Sequence, residues 1–260
     1  MQGLRYWIGL GALGAAAFAG AAPVFAGANA GGVMMLYVKS DITPSTDPTD
    51  YCDDTGLSCP NPFLCDVANP AFDCNAGQKD TVQGGHTTAA AEGETFLFYL
   101  MMAFPEERCP RVSGVVFGIE YDEEVLSLLY SGGCGDFELP SGNWPQSFTG
   151  TALTWNSPRT SHLEPIYYFV AQWYQNPGGT FTGGTFAIRP HPSQGGPTFA
   201  SDDVPSVLDP VGTLPGSIPT DFLPELGFGG GTGSNGTWTP TESQSWGHLK
   251  HHFSGGPATN

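Results

Sequence analysis

Apolar and polar side chains alternate along most of the chain, and this alternation predicts a series of β-strands. Residues 113–121 show it most clearly: Glu120 falls on the outward side, and the inward positions are Val115, Phe117, Ile119 and Tyr121. Further strands are predicted at residues 33–38, 95–103, 125–130, 149–155, 164–174, 185–190 and 196–201, with short edge strands at 208–214 and 222–228. About eight or nine strands at this spacing predict an all-β protein, an antiparallel β-sandwich of the immunoglobulin-like kind.

The first thirty residues have the three parts of a secretion signal. Arg5 supplies a positive charge, an apolar run follows from position 6 to 22, and small residues then recur in an A-x-A arrangement up to Ala30. The run is shorter than the ~20 apolar residues of a membrane-spanning helix. We therefore predict a signal peptide over residues 1–30, cleaved after Ala30, with Ala28 or Ala26 as alternative sites. The mature chain is expected to be secreted or held at the cell surface, without a transmembrane anchor.

Composition supports a strand-and-turn protein and excludes one class of partner. The chain has 37 Gly and 23 Pro, and only 13% of its residues are charged, which suits many short strands joined by turns. Its net charge of −17 repels phosphate backbones, so nucleic-acid binding is excluded.

Six cysteines in an exported chain predict disulfides. They are Cys52, Cys59, Cys65, Cys74, Cys109 and Cys134. Of the fifteen possible connectivities, closeness in sequence favours Cys52 with Cys59 and Cys65 with Cys74. Cys109 and Cys134 flank a predicted pair of strands and form the natural third bridge. Zinc is disfavoured because no C-x-x-C spacing occurs.

Four of these cysteines lie in an irregular segment, residues 41–92, which we interpret as a disulfide-stapled insertion into the sandwich. The segment is rich in carboxylates. A calcium site is one hypothesis, because oxygen ligands crowd around Cys52; its candidate ligands are Asp47, Asp50, Asp53 and Asp54. The alternative is a solvated acidic loop, since the spacing of an EF-hand loop is missing.

The strand at 164–174 carries aromatic side chains on both faces. Tyr167, Phe169 and Trp173 share one face, and they would form a row suited to stacking on sugar rings or a partner protein if that face is open. The alternative is a central strand covered on both sides. Trp144 and Trp155 carry the same two interpretations.

The chain changes character near its C-terminal end. Residues 31–228 are assigned to the β-sandwich domain, 229–244 to a Gly/Ser/Thr/Pro linker and 245–260 to a short amphipathic tail. In the tail, Trp246, Leu249 and Phe253 share one helical face, and Lys250 adds positive charge. The tail is either a sorting or docking signal or a segment that folds back onto the domain.

One stretch resembles a known superfamily. Residues 112–126 read VSGVVFGIEYDEEVL, an alternating strand that ends in Tyr121-Asp122 before a short turn and Val125-Leu126. This resembles the cohesin and carbohydrate-binding-module superfamily. The resemblance implies a β-sandwich and a non-catalytic role in binding dockerins, polysaccharide or cell-surface partners, and the Asp122 side chain is expected to cap the turn. The overall layout also resembles exported bacterial proteins.

The sequence thus favours a secreted, non-catalytic binding or adhesion module at the cell surface or in the extracellular matrix. Its expected partner is a polysaccharide or a cell-surface protein, and no cofactor is expected apart from calcium at the acidic loop. One alternative is a filament or surface-layer subunit whose strand 33–38 adds to a neighbour. A second is a carbohydrate-active enzyme. It is disfavoured because a glycosidase needs two carboxylates that face each other across a cleft. Here residues 122–124 are contiguous on a predicted turn, and Glu106 and Glu107 adjoin Pro105, so both groups are interpreted as solvated turns. The nucleophile elbow of a serine hydrolase is also missing.

Overall fold

The computed structural model describes residues 27–57, 76–105, 108–175, 183–212 and 223–235. In that part of the chain it contains eleven strands and one helix. They are β1 (Val33–Val38), α1 (Ala76–Gly84), β2 (Phe96–Ala103), β3 (Val112–Tyr121), β4 (Leu126–Gly133), β5 (Phe137–Pro140), β6 (Gly150–Arg159), β7 (Leu163–Trp173), β8 (Gly184–Arg189), β9 (Thr198–Ser201), β10 (Leu208–Pro210) and β11 (Glu225–Phe228). No helix among these residues is long and apolar enough to cross a membrane.

The strands form two antiparallel sheets, which confirms the β-sandwich predicted from the alternation. The first sheet has the order β1-β2-β7-β4. The second has the order β10-β9-β3-β6-β5, and β8 extends it by pairing with β3 and β11. Strand β3 is long enough to pair with β6 along one edge and with β9 and then β8 along the other.

The main core lies between the two sheets. Val115, Phe117 and Ile119 point into it and are fully buried, as the alternation of β3 predicts. Phe98 of the first sheet lies 5.0 Å from Phe186 of the second, measured between ring centroids. Stacked and edge-on aromatic pairs of this kind fill the space between the sheets.

A second core lies on the other side of the four-stranded sheet. The described parts of the segment 41–92, which we call the cysteine-rich segment, are residues 41–57 and 76–92, and they cover that side. There Tyr51 and Val82 of α1 pack against Tyr99 and Val170. The hydroxyl of Tyr99 donates a hydrogen bond of 2.8 Å to the carbonyl of Tyr51. Helix α1 is missing from the sequence prediction because Val82 is its one large apolar side chain, so it shows no helical periodicity.

The disulfides differ from the predicted pairs. Cys52 is bonded to Cys134, at a sequence separation of 82 residues, so pairing Cys52 with Cys59 and Cys109 with Cys134 is wrong. The cause is spatial: the cysteine-rich segment folds over the first sheet and brings Cys52 to the end of β4. Cys109 is also disulfide-bonded. Cys59, Cys65 and Cys74 lie outside the described residues, so the pairing of Cys65 with Cys74 stays a prediction.

The predicted linker and the two terminal segments can be compared with the structure only over their described residues. Residues 229–235, assigned to the linker, complete the fold here, because the Asn235 side chain accepts a hydrogen bond from the Leu36 amide and donates one to the Leu36 carbonyl. The tail residues Trp246, Leu249, Lys250 and Phe253 lie outside the described residues, as do positions 1–26 of the predicted signal peptide.

Candidate functional site

On the outer side of the seven-stranded sheet, two rows of outward-facing positions run across five strands. Strand register places the members of each row side by side. The first row is Leu139, Ala152, Val116, Thr198 and Pro210. The second row is Phe137, Thr154, Gly114, Ala200 and Leu208. We call these ten residues the β5–β10 face.

The β5–β10 face is apolar at its edges and flat at its centre. At the edges, Phe137 exposes 62% of its surface, Leu139 57% and Leu208 65%. The central positions of the face are small and close together: a Cβ atom at Gly114 would lie 3.4 Å from the methyl group of Thr154 and 3.7 Å from the Cβ of Ala200. Large apolar side chains that remain exposed around a flat centre are typical of surfaces that bind another protein.

A charged cluster borders this face on the same side of the sheet. The guanidinium of Arg189 on β8 bridges Glu120 on β3 and Glu225 on β11. All three side chains are about one-third exposed, so the cluster contributes little to stability. The exposed apolar region of this side of the sheet therefore ends at the charged cluster.

The predicted aromatic row is buried, and it presents no surface to a ligand. Tyr167, Phe169 and Trp173 all lie in the main core. On the other side of β7, Tyr168 and Val170 lie in the second core. The alternative of a central strand covered on both sides is therefore the one that the structure shows. The physical reason is twofold: the seven-stranded sheet covers the side of β7 that carries the predicted row, and the cysteine-rich segment covers the opposite side.

The remaining predicted tryptophan sites are internal as well. Trp155 is buried, and its indole nitrogen donates to the carbonyl of Cys134. Trp144 is half-buried, and its indole nitrogen donates a 2.7 Å hydrogen bond to the Tyr167 hydroxyl. Burial raises the pKa of Tyr167, so this hydroxyl stays neutral at physiological pH. These contacts assign both tryptophans to packing.

The predicted calcium ligands lie on the surface of the cysteine-rich segment. Asp47, Asp50, Asp53 and Asp54 are exposed, and the Asp50 carboxylate accepts a 3.0 Å hydrogen bond from the amide of Cys52. Within the part of the chain that the structure describes, no group of three or more His, Cys, Asp or Glu side chains is arranged to hold a metal ion. Calcium binding at these four residues stays a prediction.

The carboxylates at the end of β3 close a turn. The Asp122 side chain accepts a 2.9 Å hydrogen bond from the amide of Glu124, which confirms the expected cap. The neighbouring Glu123 carboxylate accepts a 2.7 Å hydrogen bond from the amide of Ser147. Both carboxylates thus accept hydrogen bonds from backbone amides. Glu106 and Glu107 lie outside the described residues.

Sequence reasoning missed the β5–β10 face for two reasons. Strand β5 has only four residues and ends at Pro140, so its alternation is too short to recognise. The usable signal lies in the central strands, where small and large side chains alternate: Gly114 beside Val115, Ala152 beside Leu153, and Ala200 beside Phe199. Such a pattern indicates a core on one side and a flat surface on the other.

Comparisons with known proteins find similarity to cohesin structures. No protein-family model and no curated protein sequence matches the chain. Among solved structures, it is similar to a cohesin module of a Clostridium perfringens family 33 glycoside hydrolase, at 7% identity and a TM-score of 0.38 over 55% of this chain and 88% of that one. It is also similar to a non-cellulosomal cohesin from the archaeon Archaeoglobus fulgidus, at 12% identity and a TM-score of 0.34, over 63% of this chain and 91% of that one.

A third similar structure is a type I cohesin from Clostridium thermocellum, solved in complex with a dockerin, at 11% identity and a TM-score of 0.38 over 55% of this chain and 88% of that one. At such identities and TM-scores, no partner or binding residue carries over to this chain.

Proposed function

We propose that the chain is an exported, non-catalytic protein-binding module and that its β5–β10 face binds a separate protein. The observation that carries this proposal is the exposure of Phe137, Leu139 and Leu208 around a flat centre of small residues. Burying these three side chains against a partner removes apolar surface from water, which is the main driving force of protein association.

The charge of the chain favours a different protein over a second copy of itself. With 25 acidic and 8 basic side chains, the chain has a net charge of −17, so two copies repel each other. A partner with basic side chains around an apolar patch is attracted instead. Because the face is flat, a helix or a pair of strands fits it better than an extended peptide does.

The alternative of a filament subunit that donates its first strand has little support. Strand β1 already pairs with β2 over its full length. On its other edge, Asn235 binds the backbone of Leu36, and the amide of Val38 donates to the carbonyl of Gly85. These contacts occupy three backbone groups on that edge, at Leu36 and Val38, which strand addition would otherwise use.

Comparative capture tests the proposal. The mature protein, a Thr154→Arg variant and a Thr43→Arg variant are immobilised and exposed to the extracellular proteins of the organism that encodes the chain. Thr154 lies in the centre of the face, whereas Thr43 is exposed on the cysteine-rich segment, so the same substitution serves as a matched control. A protein captured by the wild type and Thr43→Arg but lost with Thr154→Arg supports the proposal. Equal capture by all three, or by none, overturns it.

A further inference from the structure

A buried carboxylate holds the first described residues of the chain. Asp209 is 4% exposed and points inward from β10, away from the β5–β10 face. Its Oδ1 accepts a 2.8 Å hydrogen bond from the backbone nitrogen of Gly27, and its Oδ2 accepts one of 3.1 Å from the backbone nitrogen of Asn29. Both carboxylate oxygens are therefore committed to residues that lie within the predicted signal peptide.

The neighbouring contacts show that residues 27–32 are part of the domain. The fully buried Asn29 side chain accepts a 2.8 Å hydrogen bond from the amide of Arg111 and donates one to the Arg111 carbonyl. The carbonyl of Gly32 accepts a 2.8 Å hydrogen bond from the amide of Gly212. Cleavage after Ala30 would remove Asn29 and leave the Asp209 carboxylate buried without its donors, which is costly.

We propose that the signal peptide is cleaved between Ala26 and Gly27, and that the new α-ammonium group of Gly27 pairs with the buried carboxylate of Asp209. This inference rests on the proposed export of the chain. A signal-peptide-cleaving protease adds water across the Ala26–Gly27 peptide bond. The C–N bond breaks, the hydroxyl group goes to the Ala26 carbonyl to form a carboxylate, and the Gly27 nitrogen takes up protons to become an ammonium group.

The sequence and the geometry agree on this site. Ala26 is a small residue directly before the cut, as a signal-peptide cleavage site requires. A side chain at position 27 would overlap the Asp209 carboxylate and the side chain of Val207, so glycine is required there.

A charged N-terminus at Gly27 also places a positive charge beside the buried Asp209 carboxylate. Among the described residues, no Lys, Arg or His side chain forms an ion pair with Asp209. A buried carboxylate is stable only when hydrogen bonds and an opposite charge compensate its desolvation. In the uncleaved chain the Gly27 amide is an uncharged donor to the Asp209 carboxylate, and cleavage replaces it with an ammonium donor, so that the hydrogen bond becomes an ion pair. Processing therefore stabilises the fold.

Two measurements test this inference. The first is the intact mass and N-terminal sequence of the secreted protein, which are expected to begin at Gly27. The second compares chains that start at Gly27 and at Ala26, each with Asp209 and with Asp209→Asn. With Asp209, the added residue is expected to lower the folding equilibrium constant about tenfold, because an uncharged amide replaces the ammonium donor to the Asp209 carboxylate. In the Asp209→Asn background, the added residue is expected to change the folding equilibrium constant little.

The outcomes separate this inference from the proposed function. A secreted protein that begins at Gly31 or at Asn29 overturns the cleavage site and leaves export intact. A chain that stays in the cell with its leader overturns export as well. Equal effects of the added residue in both backgrounds overturn the ion pair. Loss of partner capture with Thr154→Arg concerns the β5–β10 face and does not depend on the N-terminus.

Discussion

Cys52 and Cys134 are joined by a disulfide, with their Cα atoms 5.4 Å apart, although 82 positions separate them in the sequence. The bond ties the cysteine-rich segment to the end of β4 and so holds the second core against the four-stranded sheet. It is part of the reason that β7 is covered on both sides. The insertion is thus a third layer of the domain.

Removing this disulfide is expected to destabilise the protein strongly. Closing a loop of this length lowers the entropy of the unfolded chain, which is worth about 4.5 kcal/mol in the chain-entropy model. The free energy of unfolding of a Cys52→Ala/Cys134→Ala variant, measured by denaturant titration, is expected to fall by about that amount. A Thr43→Ala variant on the same segment serves as the control. An unchanged midpoint in the double variant would show that the bond contributes nothing to stability.

The hydrogen bond between Tyr99 and the carbonyl of Tyr51 is expected to stabilise the second core. Tyr99→Phe leaves that buried carbonyl without its donor, which costs about 1–2 kcal/mol of unfolding free energy. Tyr130→Phe is the matched control, because the Tyr130 hydroxyl donates to the carbonyl of Ser45 in an exposed bond. Its loss is expected to stay below about 0.5 kcal/mol. Equal losses in the two variants would contradict the packing described for Tyr51.

Stability is expected to fall in mild acid because of His191. Burial lowers the pKa of its imidazole, and its Nδ1 accepts hydrogen bonds from the amides of Ser193 and Gln194, which protonation would break. A depressed histidine pKa means that the unfolded chain binds the proton first. The contribution is therefore present above the unfolded pKa of about 6.5 and is lost as the pH falls below it.

A His191→Asn variant tests this dependence, because its side-chain oxygen can accept the same amide hydrogen bonds without titrating. Unfolding free energies are measured for both proteins between pH 5 and pH 8. The wild type is expected to lose more stability than the variant on the acid side. Parallel curves across the whole range would rule out His191 as the source of the effect.

Two leucines on paired strands are expected to behave in opposite ways. Leu139 on β5 is exposed on the β5–β10 face, whereas Leu153 on β6 is buried in the main core. Leu153→Ala is expected to cost about 2–5 kcal/mol of unfolding free energy. Leu139→Ala is expected to change it by about 0.5 kcal/mol or less. A large loss at Leu139 would mean that the face supports the fold and is not available to a partner.

Much of the fold was accessible from the sequence because strands leave a two-residue pattern. Strand β1 matches its predicted bounds, and β3 and β7 begin one residue earlier than predicted. The partner of Cys52 was not accessible, since local spacing says nothing about a segment that folds across a sheet. The aromatic positions of β7 stayed open to two interpretations for the same reason: one side of the strand is covered by the seven-stranded sheet and the other by the distant residues Tyr51 and Val82.

The β5–β10 face was the least accessible feature. Its outward positions combine exposed apolar side chains such as Phe137 with small ones such as Gly114, so neither residue type signals a surface alone. Only the register of five strands brings them into two rows. That register is set by long-range pairing, which the composition of any single strand leaves undetermined.

The affinity of a captured partner for face and control variants tests the central claim most directly. Isothermal titration calorimetry is performed with the purified partner and the wild type, Thr154→Arg and Thr43→Arg. Because an arginine in the centre of the flat face both blocks contact and buries a charge, Thr154→Arg is expected to weaken binding by about 100-fold or more, while Thr43→Arg binds like the wild type. Equal dissociation constants for all three proteins would contradict the claim that the β5–β10 face is the binding surface.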